Sequence, residues 1–226
     1  MRKKLFFSLI ALVSLFTWAG CGPAVDKGFI SEGAISFNAE VMDTDNPMAS
    51  YAPSKMVIKF KNNKSSLEMS AGMGALTTSF ISNPETKTFI QLIKLLGTKY
   101  VVVQNEDEIK KENELFNIEV IPTKITKMIA GYKCKKATIH YKGGDPLDYD
   151  IYYTEGLNIK QPNFANPYFK IDGVLMEFQM KKFGLEMKFT ATAVTKQEVD
   201  DATFELPTGC KKITPQEMTE LFTDLM

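Results

Sequence analysis

Two-residue alternation of side-chain character runs through most of this chain and restricts it to antiparallel sheet with one covered face. Ile35, Phe37, Ala39 and Val41 share one side of a predicted strand, with Ser36, Asn38 and Glu40 on the other. Met56, Ile58 and Phe60 do the same opposite Val57, Lys59 and Lys61, and Leu67 and Met69 follow across an Asn62-Asn63 turn. Successive side chains on a strand point to opposite faces, so a period of two means one face packed and one wet. The clearest pair comes late: Met176, Phe178 and Met180, then Leu185, Met187, Phe189, Ala191 and Ala193. Glu177, Gln179, Glu186, Lys188, Thr190 and Thr192 occupy its other face.

Shorter strands are predicted over 80–83, 88–93 and 99–104. Strands over 132–141 and 147–153 flank Gly143-Gly144-Asp145-Pro146, a turn signal that makes them a hairpin. Two helices interrupt the pattern. The stretch 105–116 has Asn105 as N-cap and Glu106, Asp107 and Glu108 in its first turn, as a surface helix does. At the C-terminus, Thr214-Pro215-Gln216-Glu217 is a capping box followed by Met218, Leu221, Phe222, Leu225 and Met226 at helical spacing. A loop rich in Asn and Pro, 158–167, precedes the late strand pair.

Ahead of all this stands a leader. Arg2, Lys3 and Lys4 precede an apolar run from Leu5 to Phe16, then Thr17-Trp18-Ala19-Gly20-Cys21. The run is too short to span a bilayer and is broken by Ser8 and Ser14, so it reads as an export signal with a lipid-attachment cysteine. The expectation is a signal peptide at 1–20, lipid on Cys21, a tether over 21–28 and one domain over 29–226. Acyl chains on Cys21 would anchor the chain to a membrane. The expected compartment is the envelope of a Gram-negative bacterium, on the periplasmic side, with the membrane and leaflet left open. Trp18 departs from the aliphatic residue usual in such motifs, which leaves a non-lipidated secretory signal as the alternative.

Some 206 residues beyond the leader, 44% hydrophobic residues overall and 11% aromatics, are enough for one self-sufficient core. Basic and acidic residues number 27 each, and losing Arg2, Lys3 and Lys4 shifts the balance slightly negative. That charge gives no footprint for nucleic acid. Cys134 and Cys210 can pair in an oxidising compartment, which would restrain the unfolded chain by at most about 4.5 kcal/mol. Two separately buried thiols are the other reading.

Catalytic raw material is thin. His140 is the lone histidine and its parity sets it beside Thr138 and Lys136, away from Ala137, Ile139 and Tyr141. G-x-S-x-G, H-E-x-x-H and P-loop patterns are missing, and Gly72-Met73-Gly74 lacks the third glycine of a dinucleotide fingerprint. Asp145, Asp148 and Asp150 gather near a turn without the glycine offset of a calcium loop. The chain is therefore read as non-enzymatic, with no metal and no cofactor. Methionine is abundant, 12 in all. Thioethers fill irregular cores, suit adaptable apolar pockets and, in Met69-x-x-x-Met73 or Met176-x-x-x-Met180, could meet copper(I).

The segments IAGYKCKKATIHY (129–141) and DGVLMEFQMKKFGLEMKFTATAVTKQEVDDATFELPTGCKKIT (172–214) resemble periplasmic lipoprotein domains related to the LolA/LolB-like lipoprotein carriers. Cys210 stands where FxLPxGY has its aromatic, and Tyr153-Thr154 where Trp-x-Thr is frequent. The resemblance implies a mainly β fold, a curved antiparallel sheet forming an incomplete LolA-like barrel with a few helices around an apolar cavity. It implies binding of lipid or of a lipidated protein by the concave face. Ile58, Phe60, Met176, Phe178, Met180, Leu185, Met187 and Phe189 are the expected wall of that cavity. The alternative is a structural or adaptor lipoprotein whose core is filled by its own residues, and a cavity below about 300 Å³ favours it.

Overall fold

The computed structural model describes residues 30–46, 49–142, 148–182 and 185–223. Six strands come first: β1 (Glu32–Val41), β2 (Lys55–Lys61), β3 (Lys64–Ala71), β4 (Leu76–Asn83), β5 (Thr88–Leu95) and β6 (Thr98–Gln104). Helix α1 (Glu106–Leu115) leads to β7 (Ile118–Ile129), β8 (Tyr132–Tyr141), β9 (Asp148–Thr154), β10 (Val174–Lys182) and β11 (Leu185–Lys196). The two-residue β12 (Lys211–Lys212) and helix α2 (Pro215–Thr223) follow.

All twelve strands join one open sheet in the order β12-β6-β5-β4-β3-β2-β1-β11-β10-β9-β8-β7. Two up-and-down meanders, β1 to β6 and β7 to β11, meet where β1 pairs with β11. Every pairing is antiparallel except the short contact of β12 with β6. Tight hairpins make the meanders possible. Asn62 (φ 49°) and Asn63 (φ 68°) supply two successive left-handed residues, as do Ala130 (φ 49°) and Gly131 (φ 83°). That backbone matches the twist of the flanking strands. Register shifts interrupt β1/β11 at Ser36/Phe37, β10/β9 at Leu175/Glu177 and β7/β8 at Pro122/Thr126. Such bulges bend the strands that carry them.

The alternation expected from sequence is found over most of these strands, but not at Ala193, which is exposed while Val194 is buried because the bulge between β1 and β11 shifts the parity after Ala191. Ile35, Phe37 and Ala39 are buried while Asn38 and Glu40 are exposed. Phe178 faces Phe189, and Met180 faces Met187, across β10 and β11. Around them Phe178 stacks on Phe189 (centroids 5.2 Å apart, planes 24°) and meets Phe37 edge-on (6.0 Å, 79°). Strands β4, β5 and β6 extend beyond their predicted ends, and β7 was not expected at all. Its Pro122 and its lysines hide a strand that lies at the sheet edge, where a missing N–H does not break a ladder.

Both helices begin where their caps predicted. Asn105 Oδ1 accepts from the N–H groups of Asp107 and Glu108, and the Asn105 N–H donates to Glu108 Oε2 at 2.8 Å. Thr214 and Glu217 exchange the same reciprocal bonds at 2.7 and 3.2 Å, and the Thr214 N–H and hydroxyl, both donating to Glu217 Oε2, hold the Glu217 carboxyl below its usual range. Met218 and Phe222 of α2 pack on Ile93 and Val102. Leu225 and Met226 lie outside the described residues.

The expected disulfide is corrected by the structure: Cys134 and Cys210 are free thiols. Cys134 lies on β8 and Cys210 just before β12, strands near opposite ends of the sheet, and pairing would require folding the sheet back on itself. Each thiol instead donates to a nearby carbonyl, Cys134 to Tyr132 O at 3.5 Å and Cys210 to Pro207 O at 3.2 Å. Burial pushes the Cys134 thiol up to about 11.

Two outcomes follow from this packing. Phe60→Ala should destabilise the domain by about 3–5 kcal/mol in urea unfolding, because the ring is fully buried, while Lys59→Ala should stay within about 0.5 kcal/mol. A raised pKa leaves Cys134 protonated at pH 8, so a disulfide-exchange reagent should titrate Cys210 promptly and Cys134 only after denaturation.

Candidate functional site: an apolar pocket beneath the 155–173 segment

A twelve-strand sheet offers one broad apolar face, and the chain covers part of it with the segment between β9 and β10. This segment has little regular structure, so its backbone polar groups need other partners. Asn163, nearly fully buried, supplies two of them: its Nδ2 donates to Ile171 O at 2.9 Å and Gly173 O at 2.8 Å. Its Oδ1 accepts from Asn166 Nδ2 at 3.3 Å. Leu157, Tyr168 and Ile171 drive apolar side chains into the main core. Tyr168 donates its hydroxyl to Gln179 O and accepts from Tyr149 Oη at 3.0 Å. Burial pushes both phenols above their usual range, Tyr168 the further, so they are fixed hydrogen-bonding groups and not acids.

Helix α1 closes the side of this cover. Asn113 Nδ2 donates to Phe164 O at 2.8 Å, and Ile109 packs with Phe80 and Phe89, whose rings stack 5.8 Å apart. Between sheet, helix and segment a cavity of about 140 Å³ remains. Its walls are Ile58, Leu67, Phe80 and Phe89 from β2 to β5, Phe178 and Met180 from β10, and Phe116, Pro162 and Tyr168 from the cover. Glu112 and Lys181 sit on its lining as charged groups, and Glu112 Oε2 is engaged by Gln104 Nε2 at 2.7 Å. A second cavity of about 260 Å³ lies between α1 and the 161–172 stretch, among Lys87, Glu106, Lys110, Glu114, Phe169 and Asp172. Ile109, Phe164 and Ile171 add apolar surface to its walls, and Lys110 pairs with Glu106 one helical turn away at 3.1 Å.

Of the residues expected to line a cavity, Ile58, Phe178 and Met180 do so. Phe60, Met176, Met187 and Phe189 are buried in the core instead, off the cavity lining, and Leu185 packs against that core. Sequence periodicity identified the correct sheet face but not how much of it the chain itself fills. The cover residues Pro162, Asn163 and Tyr168 were missed. The density of Asn and Pro over 158–167 signalled a structured loop without naming its partners.

The remaining chemical candidates resolve into surface contacts. His140 Nδ1 meets Asp148 Oδ1 at 2.5 Å on the half-exposed side of β8, as its parity predicted. Asp150 pairs with Lys136 at 2.6 Å and accepts from Thr138, which holds its carboxyl below the usual range. Asp145 lies outside the described residues, as do Cys21 and the rest of the leader. Among the described residues no cluster of three His, Cys, Asp or Glu side chains converges as a metal would need. No described helix is long and apolar enough to cross a membrane.

No protein-family model and no curated protein matches the chain. Among solved structures, PNGF-II in its C2 crystal form is similar, with a TM-score of 0.54 at 16% identity over 85% of this chain and 32% of PNGF-II. The chain therefore spans about a third of that protein's length. At this identity the likeness concerns the fold alone, a mainly β architecture built on an open, mostly antiparallel sheet.

Asn163→Ala should leave two buried carbonyls without a donor and cost about 1–3 kcal/mol. Hydrogen exchange should show the loss as faster exchange over 157–173, with β1 and β11 unaffected.

Proposed function

We propose that the chain is a non-catalytic envelope lipoprotein domain that serves as an adaptor, its sheet face filled by its own residues except for one small apolar pocket. The observation that carries this reading is the size and lining of the cavity: about 140 Å³, walled by Ile58, Leu67, Phe80, Phe89, Phe178 and Met180. Sites for drug-sized or chain-like ligands run from about 300 to 1,000 Å³. An apolar void of about 150 Å³ accepts a guest of benzene's size. The pocket thus suits one aromatic or branched aliphatic group, such as a side chain presented by a partner, better than a whole acyl chain.

The leader over 1–20 supports export and attachment through Cys21, and the envelope is the compartment in which such an anchor operates. The open sheet, its bulges and a covering segment with α1 support the LolA-like incomplete barrel at the level of architecture. Fold alone does not carry a carrier's activity.

Lipid carriage is the second reading, and one feature favours it: the pocket is roofed by a loop and a short helix and not by the sheet. Lifting that roof would enlarge the cavity. Two measurements separate the readings. Native mass spectrometry of the full chain, with Met180→Glu as the paired variant, should show the acyl groups on Cys21 and no further lipid. Co-purified lipid that Met180→Glu abolishes would overturn the adaptor in favour of carriage. Nuclear magnetic resonance titration with benzene should shift signals at Ile58, Leu67 and Met180, and filling the pocket with Ile58→Trp should remove those shifts. A dry, unresponsive pocket would remove the binding role.

A further inference from the structure

Two hairpin tips at one end of the sheet break a local rule in the same way. The turn between β5 and β6 places Leu96 at φ 46° and Gly97 at φ 89°, the left-handed pair that Asn-Gly normally occupies. The turn between β3 and β4 holds Gly72, Met73 and Gly74 at φ 55°, 54° and 89°. Left-handed backbone disfavours a residue that carries a Cβ, which crowds the following carbonyl oxygen. Met73 is nonetheless fully exposed and Leu96 is 81% exposed, so neither gains packing in return. The tips touch: the Leu96 N–H donates to Ala75 O at 3.0 Å, and Ala75 N–H to Gly72 O at 3.1 Å.

Behind this apolar point stands positive charge. Lys94 and Lys99 are cross-strand partners immediately below the Leu96 turn, a like-charged pairing that works against the hairpin. Neither joins an ion pair among the described residues. Thr77 and Ser70 continue the same row, Glu68 lies one row further from the tips, and the stretch carrying Asp200, Asp201 and Glu205 packs on that face through Val199 and Phe204 at Ile81 and Ile90, two rows further. Asp43 and Asp45 follow β1, three strand spacings from β4, which is about 14 Å and beyond a Debye length at physiological salt.

We infer that the paired tips carrying Met73 and Leu96 dock on a lipid surface rich in anionic headgroups. Exposed apolar side chains on turns enter the headgroup and acyl boundary, and the two lysines behind them meet the anionic headgroups. Zwitterionic lipid would satisfy only the first half of that arrangement. Ile30 and the β2–β3 and β4–β5 turns lie at the other end of the sheet. The docking stands on these tips alone and does not rest on the pocket.

The test uses the full chain with Trp18→Phe, so that one introduced tryptophan reports alone. Leu96→Trp, Met73→Trp and, at the opposite end, Glu85→Trp are reconstituted in vesicles carrying brominated acyl chains. Indole fluorescence at positions 96 and 73 should be quenched in phosphatidylglycerol-containing vesicles, less in pure phosphatidylcholine, and more than at position 85. Lys94→Gln with Lys99→Gln should weaken that anionic preference by about 25-fold, from about five-fold per lysine, and 0.5 M salt should suppress it. Unchanged unfolding midpoints establish that the variants are folded. Quenching at 96 and 73 no greater than at 85, equal quenching in both lipids, or protection that arises only on adding an acidic protein would overturn the inference.

Discussion

The hydrogen bonds of Asn163 decide whether the sheet's apolar face can be closed by a segment without regular structure. A helix or strand satisfies its own backbone, whereas a loop laid over a core must find a donor for each buried carbonyl. Asn163 delivers two donors to the carbonyls of Ile171 and Gly173, where the segment turns back into β10. With those carbonyls satisfied, Leu157, Tyr168 and Ile171 can sit in the main core without stranding polar groups beside it. Gly173 shows how close this return is: a Cβ there would lie 2.6 Å from the Tyr153 ring and 3.0 Å from Thr154 O.

The same closure sets the size of the pocket. Tyr168 spans from the cover to the sheet, bonded to Gln179 O and Tyr149 while its ring meets Phe178 edge-on at 6.1 Å. One residue thus fixes the height of the roof over β10. Phe178 in turn contacts Phe37 and Phe189, so the innermost wall of the pocket is the outer surface of the main aromatic cluster. The cavity remains where the cover spans from β10 to α1, because Pro162 and Phe116 reach its edge and no large side chain fills its middle. Its smallness follows from a cover tightly bonded at both ends.

Much of this architecture could be read in the sequence, and the reasons for the gaps are specific. Alternation at Ile35 to Val41 and at Leu185 to Ala191 identified strands because one face is covered and the other wetter, and it fails at Ala193, where the bulge against β1 turns the side chain outward. The Asn105 and Thr214 caps marked helix starts because their side chains answer orphan N–H groups within three residues. Both signals are local. The pairing of β1 with β11, which joins the two meanders, links residues more than 140 positions apart and leaves no local trace. The same holds for the site: Met176 and Met180 share a strand face, yet one is buried in the core and the other reaches the pocket. Only the position of the cover separates them. A disulfide was expected from compartment and count, quantities that carry no information on which end of the sheet each cysteine occupies.

An open sheet keeps two edges, and their treatment explains why one strand escaped recognition. At β6 the edge is shielded in part by β12, which pairs with Tyr100 and Val101, while α2 packs on the same strand through Val102. At β7 no further strand pairs with the edge among the described residues, and its protection is written into composition: Pro122 removes a donor and Lys124 adds charge, while the register shift between Pro122 and Thr126 interrupts a straight template. Each of these discourages pairing with another chain, and each lowers the strand's resemblance to a strand. Exposed Ile121, Ile125 and Met128 therefore lie on an edge whose backbone is poorly suited to extension. Features that keep β7 from pairing with another chain are the ones that obscure it in the sequence.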